Sequence, residues 1–172
     1  MQRVIIALGL VLVLAAANLT VREREALIAE GAPLYLELAP VDPRSLMQGD
    51  YMRLRFAIDP LIWPGNRFGA MGQVLDRPPD GSAVIRRDAR GVGVFDRIHK
   101  GEALGPGESL IQYRLRKHEV RIVTNAWFFQ EGTAEQFARA RYGEFRVAPN
   151  GQALLVALRD QDLQVLGKQN GQ

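Results

Sequence analysis

The stretch that decides the fold is Val41-Asp42-Pro43-Arg44-Ser45-Leu46-Met47-Gln48-Gly49-Asp50-Tyr51-Met52-Arg53-Leu54-Arg55-Phe56, in which a turn-forming run passes directly into an alternating strand. Pro43 fixes φ and lacks an amide donor, Gly49 tolerates positive φ, and the Asp42 and Asp50 carboxylates suit bonding to nearby backbone amides. From Tyr51 the period is two, with Met52, Leu54 and Phe56 on one side and Tyr51, Arg53 and Arg55 on the other. A rigid turn at the mouth of a half-buried strand is the local structure this pattern predicts.

Working outward, residues 34–38 alternate apolar and polar and read as a first strand. Residues 59–72 form a loop rich in Pro and Gly that carries Trp63 and Phe68. Further strands are expected at 83–87, 91–98, 110–116 and 119–124, punctuated by Pro78-Pro79-Asp80-Gly81 and Gly105-Pro106-Gly107. Thr133 followed by Gln136 has capping-box spacing and predicts a helix over 134–140. Strands at 144–148 and 153–159 flank Pro149-Asn150-Gly151-Gln152, where Asn-Gly is a strong hairpin signal. The expected fold is mainly β: an antiparallel sandwich or partly open barrel with one short helix.

The chain has 172 residues, which fits one domain with a sizeable core. It has no cysteine, so disulfides, thiolate metal sites and a Cys nucleophile are excluded. A net charge of +3 falls short of the basic loading of a dedicated nucleic-acid binder. Most basic residues are Arg, suited to fixed ion pairs and anion contacts.

Residues 4–19 are almost purely apolar, with Arg3 ahead of them. This run is slightly short of the roughly 20 residues of a spanning helix, so a cleaved signal peptide with an Ala15-Ala16-Ala17 site competes with an uncleaved anchor. The continuation over residues 20–30 is strongly helix-forming and stops at Gly31, which favours the anchor. Residues 1–31 are therefore read as a membrane-anchor helix with its extension, and 32–172 as the β-rich domain. Arg3 on one side and Arg22 and Arg24 on the other leave the orientation undecided by charge.

The string Gly49-Asp50-Tyr51-x-x-Leu54-x-Phe56 resembles the signature of the GDYXXLXY family of membrane-anchored bacterial proteins, with Phe56 where the motif has Tyr. The apolar N-terminus, Val41-Asp42-Pro43-Arg44, Phe129-x-Glu131-Gly132, Tyr142-Gly143-Glu144-Phe145 and Leu154-Leu155-Val156 are similar to the family as well. The resemblance implies a single-pass protein of the bacterial inner membrane with its domain on the periplasmic side. It supplies no biochemical activity and no cofactor. The expected role is a binding or accessory domain partnering an integral membrane protein, with the motif residues Asp42, Pro43, Arg44, Gly49, Asp50, Tyr51, Arg53, Leu54 and Arg55, together with Glu131, as candidate binding residues.

Two catalytic alternatives deserve weighing against simpler roles. Ser45 before Gly49-Asp50 is partly similar to serine-lysine signal peptidases, with Lys100 or Lys117 as the base. However, Leu46 rather than Met follows the serine, and both lysines sit where exposure is expected. Asp42, Asp50 and Glu131 offer a carboxylate pair for work on a glycan, though each is also explained as a turn residue. His99 and His118 have no companion ligands at useful spacing, so no metal site is expected. The outer side of the 110–124 hairpin gathers Gln112, Arg114, Arg116 and Arg121, a face fitted to anionic lipid, glycan or an acidic partner, or simply a solvated surface. Trp127-Phe128-Phe129 reads first as core.

Overall fold

The computed structural model describes residues 2–39, 47–48, 51–64, 78–116 and 119–167, the side chains of 2–5, 7, 47 and 48 excepted. The chain opens with α1 (Gln2–Glu30). Its described apolar side chains from Ile6 to Leu19 are 53–69% exposed and project on all sides. Among the described residues no helix is long and apolar enough to cross a membrane. The helix stops where the Gly31 N–H bonds the Leu27 carbonyl at 3.0 Å, and a Cβ on Gly31 would stand 2.3 Å from that oxygen. The chain therefore leaves the helix at a point open only to glycine.

It passes directly into β1 (Ala32–Glu37), which pairs antiparallel with β9 (Tyr142–Val147). That strand pairs in turn with β10 (Ala153–Arg159), and β11 (Val165–Leu166) completes a four-stranded sheet. The β9–β10 hairpin closes as Asn-Gly predicts, with Gly151 at φ 83° and Asn150 Oδ1 accepting the Gln152 N–H at 2.9 Å.

A second four-stranded sheet has the order β5-β4-β6-β7, from β4 (Asp80–Arg87), β5 (Gly93–Ile98), β6 (Glu108–Arg116) and β7 (Glu119–Arg121). The third carries the opening motif: β2 (Met47–Gln48), β3 (Tyr51–Arg53) and β8 (Ala126–Phe128). Gln48 pairs with Tyr51, which brings together the strand ends on either side of Gly49 and Asp50.

Single bridges weld the sheets. Tyr35 meets Val92 in parallel, and Leu38 meets Phe56 in antiparallel fashion. Where β5 crosses β1, a Cβ on Gly93 would lie 2.6 Å from Ile85 and 2.9 Å from Leu34, so this glycine serves close packing. Leu34, Leu36, Leu54, Phe56, Ile85, Ile111, Tyr113 and Phe145 are fully buried in one core lined by all three sheets. The result is a mainly antiparallel, half-barrel-like β domain behind a long helix.

Several local expectations are corrected. The motif strand keeps its alternation to Phe56, but sheet pairing ends at Arg53. Leu54 then donates to Asn125 O at 2.7 Å and Phe56 joins β1, so the strand changes sheet midway. The loop after it begins with a one-turn helix, α2 (Asp59–Ile62), helped by Pro60 in its first turn. Residues 134–137 make a 3₁₀ turn, and the helix expected to 140 is absent because Thr133 does not cap. Its hydroxyl donates instead to Gln130 O at 2.6 Å. Residues 126–128 form a strand that aromatic content alone concealed.

Candidate binding face

The alternation of β3 places the motif residues in two roles. Met52, Leu54 and Phe56 point into the core, where Phe56 meets Phe145 edge-on at 5.4 Å. Buried in that way the Phe56 ring needs no hydroxyl partner, which accommodates the departure from Tyr in the motif. Tyr51 and Arg53 face outward, half-buried and exposed respectively. Leu54, a candidate binding residue, is thus a core residue.

Opposite Tyr51 on β8 stands Phe128, their ring centroids 5.8 Å apart. Phe128 is 74% exposed, although the aromatic triplet reads as core in sequence. The cause is the pleat: Trp127 and Phe129 turn inward against Phe137, and Phe128 between them must turn out. Alternation within the triplet was the available signal.

The same end of the molecule gathers arginines. Arg114 and Arg121 are cross-strand neighbours on the outer face of β6 and β7. Arg116 grips Asp80 through two contacts of 2.7 and 3.2 Å, which holds that carboxyl below its usual range. Arg55 reaches Glu119 at 3.2 Å. Arg55 and Arg116 are therefore balanced, whereas among the described residues Arg53, Arg114 and Arg121 form no ion pair. Gln112, expected on this face, instead donates to Asn150 O at 3.1 Å.

Asp59 lies just behind the motif strand. Its Oδ2 accepts the Phe56 N–H at 2.9 Å and its Oδ1 is buried without a partner. Burial raises its pKa to about 6, against the opposing pull of that N–H and of Arg55.

Of the residues named for the catalytic alternatives, Lys100 and Glu131 are described. Lys100 is exposed, and Glu131 sits on an exposed turn before Gly132. Asp42, Pro43, Arg44, Ser45, Gly49, Asp50, Lys117 and His118 lie outside the described residues. His99 Nδ1 stands 3.6 Å from Glu102, and among the described residues no group of His, Asp and Glu is arranged to hold a metal. Asp96 and Arg97 of β5 and Glu108 of β6 are taken up by one another. Arg97 bonds Asp96, Glu102 and Glu108 at 2.6 to 2.8 Å, and Arg97 with the Gly105 N–H pulls Glu108 down to about 2.

No curated protein and no solved structure matches the chain. The profile of the GDYXXLXY protein family matches residues 13–158, from within α1 to the penultimate residue of β10. The motif strand, its aromatic partner and the arginine-lined end all fall inside that span, and the chain belongs to the GDYXXLXY protein family.

Proposed function

We infer that the chain is a membrane-anchored extracytoplasmic binding or accessory subunit, held by α1 and partnering an integral membrane protein. The observation that carries this reading is α1 itself: leucine, valine and isoleucine project on all sides from Ile6 to Leu19 with more than half of each exposed. A helix apolar all round requires a non-aqueous surrounding, and a bilayer is the one that an N-terminal helix ahead of a folded domain meets. The apolar run continues through residues 4 and 5, which brings it close to spanning length.

The domain's orientation follows from β1. Its Ala32 end joins the helix, and its far end, about 20 Å on at 3.3 Å per residue, reaches Leu38 and the motif strand. Tyr51, Phe128 and Arg53 thus lie towards the end of the domain remote from the helix. Aromatic residues and arginine are the types that anchor protein interfaces, and here they occupy a solvent-facing sheet.

Two measurements test the reading. The full chain should stay with membranes through alkaline carbonate washing and be digested by protease added to spheroplasts, while a chain lacking residues 1–19 should be released. A photo-crosslinking residue at position 128 should capture an integral membrane protein that the same residue at Arg90, on the turn before β5, does not. Release of the full chain by carbonate would defeat the anchor; failure to crosslink at 128 would defeat the binding face.

A further inference from the structure

Between the polar half of α1 and the β domain lies a cleft of about 910 Å³. That is within the size range of small-molecule sites. One stripe of the helix lines it, Thr20, Glu23, Arg24, Leu27 and Glu30, at the three- and four-residue spacing of a single face. The opposite wall comes from the ends of β4 and β6, with Arg87, and from the β9–β10 turn with Asn150.

The charges in this cleft are of both signs and only partly committed. Arg87 donates Nη2 to Ser109 Oγ at 2.9 Å, its Nε–H has no partner, and among the described residues neither Arg87 nor Arg24 forms an ion pair. Glu108, also in the wall, is already taken by Arg97. Glu23 and Glu30 remain on the helix, and the last turn of α1 holds no basic residue to balance its negative pole. The cleft therefore offers two guanidinium groups for an anion beside two carboxylates and a helix C-terminus for a cation.

Position narrows the ligand. On the anchored reading of α1, on which this inference rests, the hydrocarbon edge falls at Leu19. Thr20, Glu23 and Arg24 then rise about 1.5 to 8 Å above it, which is the depth of the polar headgroup layer. The helical wall of the cleft thus begins, at Thr20, at the level of phospholipid headgroups. We propose that the cleft binds the headgroup of an aminophospholipid, the phosphate held by Arg24 and Arg87 and the primary ammonium by Glu23. A guanidinium is matched to a phosphate's oxygens, and a primary ammonium has the N–H donors that a carboxylate needs.

The test uses the full chain in a neutral maltoside detergent with three lipids: phosphatidylethanolamine, phosphatidylcholine and phosphatidylglycerol. Retained lipid is read by native mass spectrometry, and the melting midpoint is followed in parallel. Phosphatidylethanolamine should be retained most and raise the midpoint. Phosphatidylcholine, whose N-methyl groups remove every N–H donor, should bind about tenfold more weakly, the loss expected for one charge-assisted hydrogen bond. Arg24→Gln and Arg87→Gln should each lower retention of phosphatidylethanolamine, while Glu23→Gln should erase the preference over phosphatidylcholine and leave retention of phosphatidylglycerol in place. Glycerophosphoethanolamine without acyl chains should compete, and inorganic phosphate should not. Equal retention of phosphatidylethanolamine and phosphatidylcholine by the parent chain, or no change in the arginine variants, would overturn the proposal. Carbonate extraction of the membranes, before detergent is added, separates this failure from that of the anchor, since an anchored chain without lipid preference sinks only the headgroup site.

Discussion

Glu144 and Arg159 meet at 2.6 Å between neighbouring strands of the first sheet, with the glutamate only 4% exposed. The same guanidinium lies over the Tyr35 ring at 5.3 Å and donates to the Leu163 carbonyl, while Arg146 approaches the other carboxylate oxygen at 3.5 Å. One buried acid thereby ties β9 and β10 to β1 and to the segment before β11. Glu144→Ala would leave Arg159 largely enclosed without its counter-ion, and a loss of roughly 3 kcal/mol is expected. Urea denaturation measures it, and an unchanged midpoint would show the pair to be dispensable.

Gly93 predicts a cost of the opposite kind. A methyl group there meets Ile85, Leu34 and Leu36 at 2.6 to 3.0 Å, where two sheets cross. Gly93→Ala should destabilise by about 1–3 kcal/mol through overpacking. The companion change Ile85→Val, by making room, should recover part of the loss in a double-mutant cycle. Strict additivity of the two changes would argue against the crossing as the cause.

Asp59 gives the chain an unusual pH response. Its pKa is raised from 3.8 to about 6, so the folded state holds a proton that the unfolded chain releases, and stability should fall as pH rises between those values. Glu102 and Glu108 act in the other direction. Each is held near 2, Glu102 by its own N–H and that of Lys100 and Glu108 by Arg97, so their contribution disappears as pH drops from 4.5 towards 2. Stability should therefore peak in mildly acidic solution. Asp59→Asn, which keeps an acceptor for the Phe56 N–H, should abolish the decline between pH 4 and 6 and be more stable than the parent at neutral pH. Denaturation midpoints across that range decide it.

Phe128→Ala and Arg53→Ala should leave stability within about 0.5 kcal/mol, because both side chains are exposed. Each should nonetheless weaken capture of the membrane protein that the proposed function calls for. Should Phe128→Ala unfold the domain instead, the ring would be a structural element and the face would have to be sought elsewhere.

What sequence made legible was whatever local periodicity governs. The period-two run from Tyr51 to Phe56 sorted core from surface correctly, and Asn150-Gly151 marked its hairpin. Non-local choices were not legible. Nothing in Leu54-Arg55-Phe56 announces that the strand leaves β8 for β1, because the bridge at Leu38 depends on where the two sheets meet. Thr133 and Gln136 had the right spacing for a cap, yet the Thr133 hydroxyl found Gln130 O first. The proposed binding face was half seen: its arginines were visible as a pattern, whereas Phe128 was hidden inside a triplet whose neighbours are inward. The cleft beside α1 was invisible, since its walls come from residues more than a hundred positions apart.

The switch of sheets along the motif strand also orders events in time. Tyr51, Met52 and Arg53 pair with Phe128, Trp127 and Ala126, residues that leave the ribosome long after them. Closing so long a loop is slow compared with forming the consecutive β4–β5 and β6–β7 pairings. During synthesis the signature segment must therefore wait for β8 with only its local pairings, Met52 to Met47 and Phe56 to Leu38, within reach. The most distinctive part of the chain is then also a stretch vulnerable to aggregation, and the arginines between those apolar residues are placed to keep it soluble until β8 arrives.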